Sequence, residues 1–257
     1  MKRTILILAV LLGGGGFRLS AGIAESGNLP AADGVLDSVL ARLPRKPVTV
    51  SGALQTSRRG TNDVHTVNIE LSLSYGDEPA AATYTIRDAF GASLAQMRIS
   101  HAAGKPMRLA YASGDPLTPA PPPALSTPVG GTDVSWGDMC LSFLWWRGGR
   151  TVGREMIKGQ ACYVLDVPAP AGEPTAYARI RLWIDEKFLM MLQAEGFDTK
   201  GSPIRRLAVR SFRKIGDTWM LKDLEVENLP SKSRTILRIT DIPDAPASGD
   251  SGTAAVP

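Results

Sequence analysis

Apolar and polar residues alternate with a period of two along most of this 257-residue chain. The segment 65–75 is typical, because its odd-numbered positions are apolar from 67 onward and its even-numbered positions are polar. Successive side chains of a β-strand point to opposite faces, so the pattern predicts strands with one dry and one wet face. The same alternation at 48–54, 82–86, 95–99 and 107–111 predicts an antiparallel meander.

A second series of strands is predicted in the C-terminal half. These strands are expected at 161–167, 177–185, 188–197, 204–212, 218–229 and 234–242. In segment 177–185 the apolar face consists of Ala178, Ile180, Leu182 and Ile184, and the other face of Tyr177, Arg179, Arg181, Trp183 and Asp185. The chain is therefore expected to be mainly β, with few helices.

Two helices are predicted. Asp33 precedes apolar residues at helical spacing and is expected to cap a helix that Pro44 ends. Ser135 and Asp138 form a capping-box pattern before the apolar run 139–146. That run is apolar nearly all round, so it predicts a short buried helix that ends at Gly148 and Gly149.

The N-terminus predicts export. Lys2 and Arg3 precede an apolar run at 4–12, and small residues follow up to Ala24, as in a secretory signal that is cleaved after Ala24. The apolar run is too short to span a bilayer. Without residues 1–24 the net charge falls from +4 to +1, which argues against nucleic acid as a partner.

The remaining residues are expected to form one domain at 25–242. A loop at 113–131 contains six prolines, and we interpret it as internal because neither flanking half can cover its apolar face alone. The alternative is two domains joined by this segment as a linker. Residues 243–257 are small and polar, which predicts a disordered tail.

The sequence does not favour an enzyme. It contains no nucleophile-elbow pattern, and His65 and His101 belong to no known nucleophile–base motif and have no companions for a metal site. Acidic residues at 223, 225 and 227 share one strand face, which is expected to be solvated, the alternative being a weak cation site. Basic residues at 205–214 are also expected on a solvated sheet face, the alternative being a site for an anionic headgroup or partner. We therefore predict no catalytic residues, no metal and no cofactor.

A binding protein needs a cavity, which a curved apolar sheet and a short helix can enclose. The candidate cavity residues are Trp136, Phe143, Trp145 and Trp146 on the predicted helix, with Met190, Leu192 and Trp219 on strands. The alternative is that these residues only form the core. Cys140 and Cys162 are expected to form a disulfide after export, the alternative being two buried free thiols.

Several runs resemble the outer membrane lipoprotein-sorting proteins of the LolA-like superfamily. They lie at 132–139 (TDVSWGDM), 159–165 (GQACYVL), 177–185 (YARIRLWID), 214–219 (KIGDTW) and 233–237 (SRTIL). The resemblance implies an incomplete antiparallel barrel of about eleven strands, with short helices in its concave side and a hydrophobic cavity for acyl chains.

The resemblance also implies a function. We expect a monomeric periplasmic carrier that shields lipid or lipoprotein acyl chains, releases them when the helical lid moves, and meets a membrane-protein donor or acceptor. The alternative is an envelope sensor or protein-interaction module that uses the same fold. Neither function requires a cofactor.

Overall fold

The computed structural model describes residues 29–58, 64–102, 105–215 and 218–241, with the backbone alone at 58, 214, 215, 218, 219 and 241. The predicted signal peptide at 1–24 and the predicted tail at 243–257 lie outside these residues. The strands are β1 (Val48–Arg58), β2 (Val64–Ser74), β3 (Ala80–Arg87), β4 (Ser93–His101), β5 (Arg108–Ser113), β6 (Thr118–Ala120), β7 (Arg150–Ile157), β8 (Gln160–Pro168), β9 (Arg179–Asp185), β10 (Met191–Phe197), β11 (Pro203–Ile215), β12 (Thr218–Asn228) and β13 (Ser233–Asp241).

All thirteen of these strands form one antiparallel sheet. Its order is β6-β5-β4-β3-β2-β1-β13-β12-β11-β10-β9-β8-β7, so each strand pairs with its neighbour in sequence, except that β1 pairs with β13. The two end strands, β6 and β7, do not pair with each other, and the sheet stays unclosed. The prediction of a mainly β, incomplete barrel is confirmed, with thirteen described strands rather than about eleven.

Two strands were not predicted, and both lie at the edges of the sheet. β6 falls within the proline-rich segment, where Pro119 is tolerated because an edge strand has one unpaired side. β7 exposes most of its side chains, and a strand without a buried face shows no alternation in its sequence. The sheet therefore continues on both sides of the proline-rich segment.

The helices lie against one face of the sheet, which we call the inner face. Helix α1 (Ala32–Leu40) begins and ends earlier than expected. Asp33 does not cap it, contrary to the prediction, because its carboxylate accepts a hydrogen bond from the backbone N–H of Gly148 at 3.1 Å instead. Helix α2 (Trp136–Cys140) has the predicted capping box between Ser135 and Asp138.

The predicted continuous helix at 139–146 is broken in the middle. Leu141 adopts a left-handed backbone conformation with φ of 49°, and a 3₁₀ turn (Ser142–Trp145) follows. A left-handed conformation is costly for a bulky residue such as leucine, so the packing around Leu141 must hold it in place. The segment therefore consists of two short turns with a joint at Leu141.

The main core fills the space between the inner face and the helices. Its fully buried members include Leu36 of α1, Phe143 of the 3₁₀ turn, and Leu182 and Leu207 of the sheet. Burying each of these side chains contributes about 2–3 kcal/mol relative to exposure. A smaller cluster on the outer face consists of Cys162, Val164 and Trp183, with Ile157 and Leu192 packed against it.

Ion pairs between neighbouring strands cover much of the remaining outer face. The acidic residues at 223, 225 and 227 share this face with Arg206 and Arg210. Arg205 does not lie on a solvated face, contrary to the expectation, because it points inward to the Asp133 carbonyl and is only 16% exposed. Arg206 lies 2.9 Å from Glu195, and Arg181 lies 2.7 Å from Asp166. Exposed pairs of this kind each contribute less than about 1 kcal/mol. The outer face is thus a solvated surface with balanced charge.

Candidate binding site

Residues 125–147, which we call the cover segment, lie over the inner face of the sheet. Their buried apolar side chains include Leu125, Val129, Val134, Trp136, Met139, Phe143, Leu144 and Trp146. Trp136 meets Tyr111 of β5 edge to face, with ring centroids 6.1 Å apart. The cover segment therefore occupies the place that a second sheet would take in a β-sandwich.

A buried carboxylate fastens the first half of the cover segment. Asp138 is fully buried, and its Oδ2 atom accepts hydrogen bonds from the backbone N–H and the hydroxyl of Ser135, at 3.0 and 2.7 Å. Its Oδ1 atom accepts one from the hydroxyl of Tyr177. The Nε atom of Arg205 lies 3.7 Å from Oδ2 and supplies the opposite charge. Burial, reinforced by the Asp138 charge, raises the pKa of Tyr177 well above its usual range.

A second carboxylate, that of Asp133, ties the same part of the cover segment to strands β12 and β13. Its Oδ1 atom accepts hydrogen bonds from Ser233 Oγ at 2.6 Å and Asn228 Nδ2 at 3.4 Å, and its Oδ2 atom from Thr235 Oγ1 at 3.3 Å. Its carbonyl oxygen accepts from the guanidinium of Arg205. We call this group of residues around Asp133 and Asp138 the polar anchor.

Tyr177 reaches the polar anchor because Gly196 has no side chain. A Cβ atom at Gly196 would lie 2.3 Å from the Tyr177 ring, which is too close for any real contact. Tyr177 therefore packs directly over the backbone of β10, with its hydroxyl at Asp138. A glycine inside a strand pattern, such as Gly196 within 188–197, is a sequence signal for such a close approach.

The other half of the cover segment ends at a pocket. We call the sheet end that carries the β2–β3 and β4–β5 turns the lower rim. There an open pocket of about 240 Å³ lies between the end of α1, the 3₁₀ turn and the start of β3. It is lined by Asp37, Leu40, Ala41, Leu43, Arg45, Tyr75, Ala80 and Trp145.

Aromatic rings form the deep wall of this pocket. The Trp145 ring stacks on His101 of β4, with centroids 4.0 Å apart and planes inclined by 8°, and lies 6.0 Å from the Tyr75 ring. Burial lowers the pKa of His101 to about 4, so its ring is neutral at pH 7. Behind them, Tyr84 lies beside Tyr75 and Cys140, and burial raises the pKa of Tyr75 to about 12.

The structure brings together only some of the predicted cavity residues. Trp136, Phe143 and Trp146 are buried in the core, and among the candidates whose side chains are described Trp145 alone lines the pocket. Met190 is half-buried, in the turn before β10. Leu192 packs in the outer cluster, because a bulge in β10 between Met191 and Gln193 turns it to the outer face. The side chain of Trp219 lies outside the described residues.

The predicted disulfide is wrong. Cys140 and Cys162 are both free and buried, the first in the main core and the second in the outer cluster. A sheet separates the two thiols, so no disulfide can form without rearrangement of the backbone. Within the described residues, no group of histidine, cysteine and acidic side chains could hold a metal ion.

This architecture is similar to that of several solved structures. A DUF1329 family protein from Desulfovibrio piger superimposes with a TM-score of 0.70 at 16% identity, covering 86% of this chain and 93% of the other. A domain from Vibrio parahaemolyticus, described as an outer membrane lipoprotein-sorting protein domain, superimposes with a TM-score of 0.70 at 13% identity, covering 85% of this chain and 94% of the other. A LolA superfamily protein from Nitrosomonas europaea has a TM-score of 0.63 at 18% identity, covering 83% of this chain and 93% of the other.

The chain thus shares the fold of these proteins, one of which is a LolA superfamily protein, as the resemblance in its sequence motifs implied. A family model described as an uncharacterized protein matches residues 120–245. No curated protein matches the sequence. In the described part of the chain, no helix is long and apolar enough to cross a membrane.

Proposed function

We propose that this protein is an exported carrier that binds the acyl chains of lipids or lipoproteins between the inner face of its sheet and the cover segment. One observation carries the proposal. The apolar inner face of an unclosed sheet is covered by two short helical turns, and a pocket with walls of Leu40, Leu43 and Trp145 opens where they end. Structural similarity to a lipoprotein-sorting domain supports the same function.

The pocket is too small for a whole lipid, so binding requires the cover segment to move. Ligand sites usually enclose about 300–1,000 Å³, whereas this pocket has about 240 Å³. Before Leu141 the cover segment is fastened by the polar anchor. Beyond it, no side chain of Ser142–Trp145 makes a hydrogen bond to the described strands. The 3₁₀ turn is therefore the part that can swing away, with Leu141 as the joint.

The energies of this movement are comparable with those of acyl-chain binding. Displacing Phe143, Leu144 and Trp145 exposes three large side chains, at a cost of about 2–3 kcal/mol each. An acyl chain that takes their place gains about 0.8 kcal/mol for every buried methylene. Ten methylenes then offset the cost, so long chains should bind and short ones should not.

A binding assay with a dansyl-labelled undecanoic acid tests the proposal. The wild-type protein should enhance the dansyl fluorescence, and native mass spectrometry of protein from the periplasm should detect bound lipid. Ala41 is an exposed residue of the pocket, so Ala41→Phe should fill the pocket and weaken binding on the order of tenfold. Ala110→Phe, the same change at an exposed position of β5, is the control.

Two results would sink the carrier proposal. One is a ligand-free mass spectrum under gentle conditions together with no uptake of the probe. The other is equal loss of binding in Ala41→Phe and Ala110→Phe, because the pocket would then have no part in the uptake. Thermal melts of both variants exclude a general loss of folding as the reason.

A protein-interaction module is the second candidate, and edge strand β7 favours it. Within the described residues β7 pairs only with β8, and it exposes Val152 and Met156 by 41% and 64%. An exposed edge with apolar side chains can accept a strand from another protein. Recovery of one stoichiometric protein partner and no lipid in a pull-down, lost in Met156→Lys, would favour this function over the carrier.

A further inference from the structure

The charges in the lower-rim pocket do not balance. Asp37 and Arg45 are its two charged lining residues. The Asp37 carboxylate is already paired with the guanidinium of Arg147, at 2.8 Å. No carboxylate in the described part of the chain pairs with Arg45. The pocket therefore presents, beside apolar walls, a guanidinium that no described carboxylate neutralises.

The backbone of Arg45 is held in place by the β2–β3 turn. A Cβ atom at Gly76 would lie 2.0 Å from the Arg45 carbonyl oxygen, so the absence of a side chain at Gly76 allows this close contact. Tyr75, next to Gly76, lines the same pocket. Arg45 is thus fixed at its backbone, while its guanidinium is exposed at the mouth of the pocket.

Other charges on the lower rim do not reverse the sign at the mouth. Arg42 and Lys46 are exposed on either side of Arg45. Across the pocket, the Asp77 carboxylate accepts a hydrogen bond from the hydroxyl of Ser74, and Glu78 has a partner of its own. The three cations on the segment after α1 outnumber these two acidic side chains, so the net charge around the mouth stays positive and favours an anion.

We propose that this pocket recognises the anionic end of an amphiphile, namely a carboxylate or phosphate that carries an acyl chain. The anion pairs with the guanidinium of Arg45, which can donate two parallel hydrogen bonds to such a group. The first methylenes lie against Leu40, Leu43 and Trp145, and the chain continues under the cover segment. This arrangement rests on the proposed carrier function, and it places the charge in water at the rim.

The test compares two probes with the same chain, the dansyl-labelled undecanoic acid and its uncharged methyl ester. The wild-type protein should bind the acid about tenfold more tightly than the ester, which corresponds to about 1.4 kcal/mol. Arg45→Gln should remove this preference by weakening the acid and leaving the ester unchanged. Lys200→Gln is the matched control, because Lys200 is an exposed cation in the turn between β10 and β11, at the opposite end of the sheet.

Each outcome separates the two proposals. If neither probe binds, the carrier function fails and this inference fails with it. Equal binding of acid and ester by the wild-type protein, or equal losses for both in Arg45→Gln, overturns the recognition of an anion and leaves the carrier intact. Millimolar acetate and inorganic phosphate should not displace the acid. Displacement would mean that the pocket binds small anions without an acyl chain, which overturns the inference.

Discussion

Asp138→Asn should destabilise the protein more than any change of an exposed carboxylate. The carboxylate of Asp138 is fully buried and accepts hydrogen bonds from Ser135 and Tyr177, with the guanidinium of Arg205 nearby. The substitution removes the negative charge and places an amide NH₂ group where a donor already points. It leaves the Arg205 charge, which is only 16% exposed, without its partner.

The expected size follows from these contacts. Removing one partner of a buried ion pair costs about 3–5 kcal/mol, and we take the lower value because Arg205 keeps its hydrogen bond to the Asp133 carbonyl. For a chain of about this length, 1 kcal/mol shifts Tm by about 2–4 °C. Asp138→Asn should therefore lower Tm by about 6–12 °C.

Thermal and urea unfolding, followed by circular dichroism, measure this effect. The matched control is Asp37→Asn, which breaks an exposed ion pair with Arg147 and should cost less than about 1 kcal/mol. Tyr177→Phe should cost an intermediate amount, about 1.5–3 kcal/mol, because it removes one hydrogen bond to a charged group. In the double variant Asp138→Asn with Tyr177→Phe, the loss of stability should be smaller than the sum of the two single losses.

The reasoning would be refuted by equal losses in Asp138→Asn and Asp37→Asn. Strict additivity in the double variant would also contradict it, because Tyr177 and Asp138 would then not act through a shared contact. If the polar anchor instead has the expected strength, the 3₁₀ turn is left as the weaker half of the cover segment, as the proposed carrier function requires.

Three further predictions concern single residues. Cys140 and Cys162 should resist a thiol reagent in the native protein, since burial raises the pKa of both thiols, and both should react after denaturation; no reaction after denaturation would indicate a disulfide. Burial lowers the pKa of His101 from 6.5 to about 4. As pH drops, the unfolded chain therefore binds a proton before the folded protein does, and stability should fall by about 1–2 kcal/mol between about pH 6.5 and 4. His101→Phe should remove this part of the pH dependence. Gly196→Ala should destabilise the protein by more than about 2 kcal/mol through the clash with Tyr177. Gly201 lies in the next turn, with a positive φ but open space around it. Gly201→Ala should therefore cost only about 1 kcal/mol.

The strand faces could be predicted because alternation is a local property of the backbone. Ile180, Leu182 and Ile184 reach the core, and Arg179 and Arg181 the outer face, as their spacing requires. The capping box of Ser135 and Asp138 was equally readable, because both partners lie within one helical turn. These features depend on residues only a few positions apart.

The cysteines show where local reading stops. Segment 161–167 is almost continuously apolar, so its sequence does not tell which side chains point inward. Pairing with β7 and β9 turns Cys162 and Val164 outward and Leu165 inward. Cys140 lies on the inner side of the sheet. The number of cysteines does not tell that the sheet separates them, so it could not predict that they stay unpaired.

The sequence by itself determined the class of fold, the faces of most strands and a buried aromatic helix, because each arises from short-range periodicity. Only the tertiary structure decided the site. The polar anchor joins Asp133 to Ser233 and Thr235, about a hundred positions away, and the pocket joins α1, Tyr75, Ala80 and Trp145. Contacts between such distant residues depend on the register of the whole sheet, and so does the position of Arg45 beside the apolar pocket.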